Sequence, residues 1–474
     1  MTDEPAFAPP RRHPLPVPLS AVEGVVFPAP VGGMQAVTLA ALQQLDHTQY
    51  LPPDEMRARQ FRQIALLARH AAHTLPFWRA RFAAAGFDPA AEITAESWAR
   101  LPILTRAEAF AAGRALHCTA LPKAHGEVTT DRTSGSTGMV LQVKRSALAV
   151  FYWNVFTLRE EVWHARDLSG KLASIRLNWS KPADATGFHE TAYDNWGPPV
   201  AAIWPTGKAA LLDIRCTIAE QAEWLARQAP DHLVSFGVNL LHLARHCMAH
   251  GIAVPTLKTI RSQGEVVSEA ARAACRAAWG ADIVDMYSAV EVGYLALQCP
   301  EHPHYHVQSE SALIEILDAE GRPCAPGETG RVVVTPLHNF AMPLFRYDLG
   351  DLAEVGGPCA CGRTLPVIAR ILGRARDILV LPSGERRFPY FGQNAMAAYP
   401  GVIQHQMIQK TPGNLEIRLV ARAPLSGEDE GRLRAAIRAS LGYDFDIAIV
   451  YCDAIERSAG GKFVEFRSEV VPSG

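Results

Sequence analysis

Hydrophobic residues follow two spacings along this chain, and the change from one to the other predicts its architecture. Apolar residues three and four positions apart predict helices over 54–86, broken near Pro76, and over 146–166. Short apolar runs predict buried strands, at 172–175, 233–236 and 283–287. Helical spacing between and after those runs predicts further helices, over 217–228, 239–250 and 268–279. Strands that alternate with helices predict the packed layers of an α/β fold.

The pattern becomes rich in strands from 312 to 352, where Gly321, Gly327 and Gly330 mark turns. Roughly the last hundred residues contain short strands and one clear helix over 429–441, which is typical of a small α+β unit. The predicted fold class is therefore α/β, with a large N-terminal α/β domain that includes a β-rich subdomain and a small α+β C-terminal domain.

Composition narrows the class of protein. A chain of 474 residues is too long for one ordinary core, and 48% of it is hydrophobic. A net charge of −2 argues against binding nucleic acid through a basic surface, and no apolar run is long enough to span a bilayer. The nine cysteines and a proline-rich start over 1–20, which lacks the apolar core of a signal peptide, predict a flexible leader and a cytoplasmic protein with reduced thiols.

One hexamer carries the first chemical signal. It combines glycines with hydroxyl side chains in the order Thr133-Ser134-Gly135-Ser136-Thr137-Gly138. Glycine lets backbone N–H groups turn toward an anion, and hydroxyls add donors that rotate to suit phosphate oxygens. Neither glycine is followed by lysine, so the hexamer is not a Walker-type P-loop. A plain surface turn is the alternative for such a cluster taken alone.

Five later motifs follow the hexamer in a fixed order. They are Ser-Gln-Gly-Glu at 262–265, Tyr-Ser-Ala-Val-Glu at 287–291, Phe-Arg-Tyr-Asp-Leu-Gly-Asp at 345–351, Gly-Arg-Ala-Arg-Asp at 373–377 and Gly-Gly-Lys at 460–462. Together the six motifs resemble the adenylate-forming superfamily of acyl-CoA ligases, most closely its phenylacetate–CoA ligase-like branch. The resemblance extends from roughly residue 77 to residue 462.

The resemblance implies a division of labour around ATP. The hexamer would hold the β- and γ-phosphates, and Tyr287 would stack on adenine, with Gly264, Glu265 and Ser288 in the same nucleotide pocket. Asp351 would accept hydrogen bonds from both ribose hydroxyls. Taken singly, each of these residues also has a structural interpretation, as a core aromatic or a solvated carboxylate.

The resemblance also implies the catalytic groups. Glu291 would help to hold Mg²⁺, because carboxylate and phosphate oxygens suit this hard cation, and Arg374 would face the nucleotide. Lys462 would reach the substrate carboxylate and the α-phosphate from a mobile C-terminal domain. The implied boundaries are a leader at 1–20, an N-terminal adenylation domain at 21–375 and a mobile domain at 376–474.

The chain departs from the family pattern at a few positions. Arg376 stands where an acidic hinge residue is usual, Ser288 where glycine is common, and Val290 where a threonine or serine is common. The region 178–199 matches the family poorly. That region either shapes substrate specificity or is a plain surface excursion.

Cysteines and histidines predict a zinc subdomain over 299–361. Cys299 precedes a run with three histidines, and Cys359 and Cys361 follow some fifty residues later. Thiolates and one imidazole make the tetrahedral set that structural zinc prefers. Similar members of the branch imply His306 as the fourth ligand, with His302 as the alternative. Unconnected thiols on two loops remain the structural alternative.

The leading functional prediction is an enzyme that converts a carboxylic acid and ATP into an acyl-adenylate and then an acyl-CoA. By analogy with the branch, the acid is expected to be aromatic or ring-bearing, the cofactors are ATP, Mg²⁺, coenzyme A and structural Zn²⁺, and a homodimer is possible. An adenylate passed to an amine or hydroxyl, or a simple adenylyltransferase, is the alternative. A binding protein that has lost catalysis is a third class.

Overall fold

The computed structural model describes residues 16–25, 27–132, 141–178, 188–374, 379–383, 385–387, 399, 401–455 and 466–470. The hexamer 133–138, Arg376 and Lys462 lie outside the described residues, as do 179–187 of the region that matches the family poorly. No helix in the described ranges is both long enough and apolar enough to cross a membrane.

Five helices precede the first sheet: α1 (Gly33–Thr48), α2 (Pro53–Thr74), α3 (Pro76–Ala84), α4 (Ala95–Ala99) and α5 (Arg106–Ala112). The predicted break is real, because Leu75 is extended and Pro76 starts a new helix. Thr105 caps α5 through a capping box with Glu108, in which the Glu108 backbone N–H donates to Thr105 Oγ1 over 3.2 Å. A hairpin of β1 (Val128–Arg132) and β2 (Gln142–Ser146) then leads into α6 (Ala147–Trp163).

A six-stranded sheet in the order β4-β5-β3-β6-β7-β8 forms the α/β layer. Its strands are β3 (Leu172–Arg176), β4 (Glu190–Tyr193), β5 (Ala209–Asp213), β6 (His232–Ser235), β7 (Thr259–Ser262) and β8 (Ile283–Val284). All neighbours pair in parallel except β4, which is an antiparallel edge. Helices α7 (Ile218–Gln228), α8 (Gly237–His250) and α9 (Glu269–Trp279) connect the strands and bury Trp224 and Leu240 with Ile175 in one core. These three helices leave the other face of the sheet uncovered.

The predicted strand 283–287 is wrong as one element. Residues 283–284 form β8 of the parallel sheet, whereas β9 (Met286–Ala289) belongs to a second sheet. The chain changes sheets at Asp285, whose backbone N–H donates to Gln298 Oε1 over 2.9 Å instead of continuing the first ladder. Apolar spacing does not reveal this point, because both halves of the segment are packed against other residues.

The second sheet has seven strands in the order β12-β13-β14-β15-β11-β10-β9, and every described neighbour pair is antiparallel. Its remaining strands are β10 (Gly293–Gln298), β11 (Tyr305–Val307), β12 (Ala312–Leu317), β13 (Thr329–Pro336), β14 (Tyr347–Val355) and β15 (Val367–Arg374). Trp78 and Phe82 pack against Phe345 in the core between this sheet and the N-terminal helices. The predicted β-rich region over 312–352 is present as β12, β13 and the first part of β14.

The C-terminal unit is a four-stranded sheet in the order β20-β19-β18-β21, packed on α10 (Gly427–Leu441). The strands are β18 (Val402–Thr411), β19 (Asn414–Ala421), β20 (Asp446–Tyr451) and β21 (Phe466–Ser468), preceded by the short pair β16 (Leu379–Val380) and β17 (Arg386–Arg387). The predicted fold class is thereby confirmed. The exact domain boundaries remain predictions.

Candidate active site

A cavity of about 930 Å³ lies on the free face of the six-stranded sheet. Side chains alternate along strands, so Leu172, Ser174 and Arg176 of β3 share that face and all line the cavity. The opposite wall includes α6, where Trp153, Thr157 and Glu161 recur every four residues on one side of the helix. Strands β9 and β10 of the seven-stranded sheet close a further side with Met286, Ser288 and Tyr294. Both sheets therefore contribute walls to one pocket.

Three of the predicted nucleotide-binding residues meet beside this cavity. Asp351 on β14 and Arg374 on β15 are partners in the strand register, and Arg374 Nε lies 3.0 Å from Asp351 Oδ1. Tyr287 donates its hydroxyl to Asp351 Oδ2 over 2.7 Å. Burial raises the pKa of Tyr287 well above its usual value, so the phenol stays protonated and can donate. Asp351 is thus held in one orientation from both of its oxygens.

Tyr287 lies differently from what its predicted stacking role requires. Its side chain is only 8% exposed, and it is not one of the residues that line the cavity. Its neighbour Ser288 does line the cavity, together with Gly264, which has a φ of +75° that glycine tolerates best. Stacking of Tyr287 on adenine stays a prediction.

Glu265 has a structural partner. Its Oε2 accepts a hydrogen bond from the backbone N–H of Val238 over 3.2 Å, in the first turn of α8. A carboxylate at a helix N-terminus satisfies an otherwise unpaired donor and interacts favourably with the helix dipole. The predicted role of Glu265 in the nucleotide pocket has no counterpart in this contact and stays a prediction.

Glu291 is buried and already paired with a cation. Its Oε1 lies 2.9 Å from Arg106 Nη1, and the same nitrogen donates to the Tyr347 hydroxyl over 3.2 Å. Sequence reasoning missed Arg106, although it lines the cavity. The available signal was a basic residue at the first position of a well-capped helix, where the helix dipole disfavours a cation.

A buried ion network supports the floor of the cavity, and sequence reasoning missed it too. Arg261 Nη1 lies 2.9 Å from Glu160 Oε2 and 2.8 Å from Glu161 Oε1, and Arg166 Nη1 lies 2.6 Å from Glu161 Oε2. Arg166 also pairs with Glu160. Burial alone would raise the pKa of Glu160, but the two arginines hold it well below its usual range. The charges of the two acids and the two arginines cancel, and the ion pairs hold Glu161 and Arg261 in place at the cavity wall.

The predicted sulfur and imidazole ligands converge away from the cavity lining. The candidate ligand atoms of Cys299, His306, Cys359 and Cys361 all lie within 4.8 Å of one another, and all four residues are buried. Cys361 Sγ lies 3.3 Å from His306 Nε2, and Cys299 Sγ lies 3.9 Å from Cys359 Sγ. His306, rather than His302, belongs to this group.

The chemistry of this Cys–His cluster suits a soft cation. A hydrogen bond with Cys299, together with those from His306 and Arg363, holds the pKa of the Cys361 thiol well below its usual range. Thiolate is the form of cysteine that binds metal. Four buried ligands of the kind and number that tetrahedral zinc uses leave no position for water or substrate.

Known proteins resemble the chain in sequence and in fold. A family model described as the CapK C-terminal domain matches residues 391–467. The chain is 23% identical to a phenylacetate-coenzyme A ligase of Escherichia coli (strain K12) over 439 residues, which cover 88% of this chain and 96% of the relative. It is 35% identical to a phenylacetate-coenzyme A ligase of Thermus thermophilus over 114 residues, a match that spans 23% of this chain and 25% of that relative.

Among solved structures, a 2-hydroxyisobutyryl-CoA ligase in the postadenylation state superposes with a TM-score of 0.65 at 17% identity. The match covers 88% of this chain and 90% of the other. At this identity the likeness concerns the fold, and it includes both the large N-terminal part and the C-terminal unit.

Proposed function

Because this chain belongs to the phenylacetate–CoA ligase-like branch of the adenylate-forming superfamily, we propose that it is an AMP-forming acid–CoA ligase. A carboxylate oxygen of the acid attacks the α-phosphorus of ATP, and the bond to pyrophosphate breaks. The thiol of coenzyme A then attacks the acyl carbon, loses its proton and displaces AMP. The observation that carries this proposal is the Asp351–Arg374 pair, which lies beside a cavity large enough for a ring-bearing acid.

The paired residues are suited to binding ATP in a fixed position. Asp351 offers carboxylate oxygens to the ribose hydroxyls, and its contacts with Tyr287 and Arg374 orient it before the nucleotide arrives. Positioning of this kind is a large part of phosphoryl-transfer catalysis, since the reacting groups are both anionic. The oxygen donor of Glu291 fits Mg²⁺, which in the bound state would neutralise phosphate charge.

The cavity supports an aryl or otherwise ring-bearing acid as the substrate. Trp153, Trp196 and Tyr294 line it, and aromatic rings favour offset or edge-on contact with another ring. Relatives named phenylacetate-coenzyme A ligase, and a structural neighbour solved as an anthranilate CoA ligase with anthranoyl-AMP, agree with this substrate class. ATP and coenzyme A are cytoplasmic cosubstrates in this proposal, and the free cysteines suit the reducing conditions there.

The Cys–His cluster is assigned a structural Zn²⁺ ion. Its four ligands would join the end of β10 and strand β11 to the loop after β14, and so fasten together strands of the sheet that carries Asp351 and Arg374. Metal analysis of the purified protein should find one zinc per chain. A content well below one, in protein that remains folded after exposure to a chelator, would contradict the assignment.

Pyrophosphate release from MgATP over a panel of aryl and alkyl acids, with and without coenzyme A, tests the proposed reaction. Continuous turnover that needs both an acid and coenzyme A is the expected result. A stoichiometric burst that coenzyme A cannot extend would favour the alternative, an adenylate passed to an amine or hydroxyl. No release with any acid, in protein that still binds ATP, would favour a chain that only binds.

A further inference from the structure

Among the described residues, four arginines line the cavity, and three of them are already paired with acids. Arg106 pairs with Glu291, Arg374 pairs with Asp351, and Arg261 pairs with Glu160 and Glu161. The fourth is Arg176, the last residue of β3. Within the described part of the chain, the pairing of these charges leaves one arginine of the cavity wall without an acid.

Arg176 has no carboxylate partner in the part of the chain that the structure describes. The acid opposite it in the strand register is Asp213, whose carboxylate oxygens accept from Arg215 Nη2 over 2.7 Å, from Arg215 Nε over 2.9 Å and from the Asn178 backbone N–H over 3.3 Å. The Arg176 side chain is exposed to the cavity, and the positive charge of Arg261 lies near enough to disfavour a second cation there. A bound anion would offset this repulsion between the two arginines.

Ser174 also has a donor to spare on the same side of the cavity. It stands two residues before Arg176 on β3 and faces the cavity with it, and no hydrogen bond of its hydroxyl is found among the described residues. Arginine with a neighbouring hydroxyl donor is a set that suits a carboxylate.

We propose that the acid activated by this chain carries a second acidic group, and that Arg176 binds that group with help from Ser174. This inference rests on the proposed acid–CoA ligase function. Arg176 belongs to the six-stranded sheet, whereas Asp351 and Arg374 belong to the seven-stranded sheet. The two ends of a dicarboxylic acid would therefore be held by different walls, and only the carboxylate beside the nucleotide would be adenylated.

Matched pairs of acids test the inference, such as benzoate against isophthalate, phenylacetate against carboxyphenylacetate and hexanoate against adipate. Binding is measured without ATP, by quenching of tryptophan fluorescence, and turnover is measured by pyrophosphate release. For at least one pair the wild-type protein should bind the diacid about tenfold or more tightly than the monoacid. Arg176→Gln should abolish that preference and leave monoacid binding unchanged, and Arg176→Lys should keep part of it. Arg227→Gln, which removes an exposed ion pair on α7, is the matched control.

Three results would overturn the inference: no diacid preference in any pair, equal weakening of both acids by Arg176→Gln, or an effect of that substitution on ATP or coenzyme A alone. If monoacids are activated without any diacid preference, the proposed function stands and the inference fails. If the diacid binds through Arg176 but no acid releases pyrophosphate, the assignment of Arg176 stands and the proposed function fails.

Discussion

The cavity and the Cys–His cluster both bury polar groups, but the positive charges of this chain balance them to different extents. At the cavity, Asp351 and Glu291 each have an arginine of this chain within 3.0 Å. In the Cys–His cluster, three cysteines and an imidazole face one another, and among the described residues Arg363 is the one arginine that donates to them, with its Nη1 3.4 Å from Cys361 Sγ. A site with internal counterions can stay folded without its ligand, whereas thiolates brought together need a cation. The cavity is therefore expected to bind reversibly and the cluster to hold its ion permanently.

The largest expected effect is at Lys462. The cavity arginines Arg106 and Arg374 are tied to acids, and the resemblance predicts that Lys462 supplies further positive charge to the transition state. Lys462→Ala should lower acyl-adenylate formation about 100- to 1000-fold and leave ATP affinity nearly unchanged. Lys410→Ala removes an exposed lysine of the same domain, paired with Glu469 over 2.7 Å, and should have no such effect. An unchanged adenylation rate in Lys462→Ala would remove this lysine from the mechanism.

Metal removal tests the other side of the comparison. Cys361→Ser, or a strong chelator, should lower the melting temperature on the order of 10 °C, because metal binding free energy becomes folding free energy at a structural site. Cys452→Ser changes a partly exposed cysteine outside the cluster and should leave both zinc content and melting temperature as they are. Full stability of zinc-free protein would show that the cluster does not depend on a cation.

A matched pair of substitutions on β14 measures what the cavity pairing contributes to function. Asp351→Asn should raise the KM for ATP about tenfold or more, since a charged acceptor for the ribose hydroxyls is lost. Glu354→Gln is the control, because Glu354 faces Arg370 across the same two strands, with Oε2 and Nε 2.7 Å apart at the surface. Equal effects of both substitutions on the KM for ATP would mean that the loss of any ion pair between β14 and β15 weakens ATP binding. Asp351 would then have no specific role.

The smallest effect is expected at Asp285, a buried acid that forms no salt bridge within the described residues. It accepts from the Tyr305 hydroxyl over 2.7 Å, and burial raises its pKa to about 7. An unfolded aspartate titrates near pH 4, so between about pH 4 and pH 7 the folded chain keeps a proton that the unfolded chain has lost. The free energy of unfolding then falls as the pH rises through this interval.

Asp285→Asn removes the titrating group and should flatten that pH dependence, with a melting temperature a few degrees above wild type at pH 7.5. Asp282 lies three residues before Asp285 and forms an exposed ion pair with Arg276, so Asp282→Asn should follow the wild-type profile. Thermal unfolding at half-unit pH steps from 4.5 to 8 makes the comparison. Parallel profiles for wild type and Asp285→Asn would show that Asp285 is ionised in the folded chain throughout.

Local signals predicted most of the fold. Periodicity located α7, α8 and α9. Motif order brought out Asp351 and Arg374, and the cysteine spacing identified the Cys–His cluster. These features depend on residues close in sequence or on a resemblance that extends along the chain.

The missed residues depend on contacts that only the folded topology creates. Arg106 and Glu291 are 185 positions apart, and Arg261 is 100 positions from Glu161. No spacing rule relates such residues, because their distance is set by how two sheets and α6 enclose the cavity. That Arg176 lacks an acid partner in the described part of the chain is likewise visible only after the other described arginines of the cavity have been matched with their acids.

The most direct test of the ligase assignment is the stoichiometry of products. The purified protein would be incubated with MgATP, coenzyme A and an acid that supports pyrophosphate release, and AMP and acyl-CoA would be quantified together by mass spectrometry. The proposed function predicts equal amounts of AMP and acyl-CoA, with neither formed when the acid is omitted. AMP or acyl-adenylate that accumulates without any acyl-CoA would contradict it and assign the chain a different acceptor.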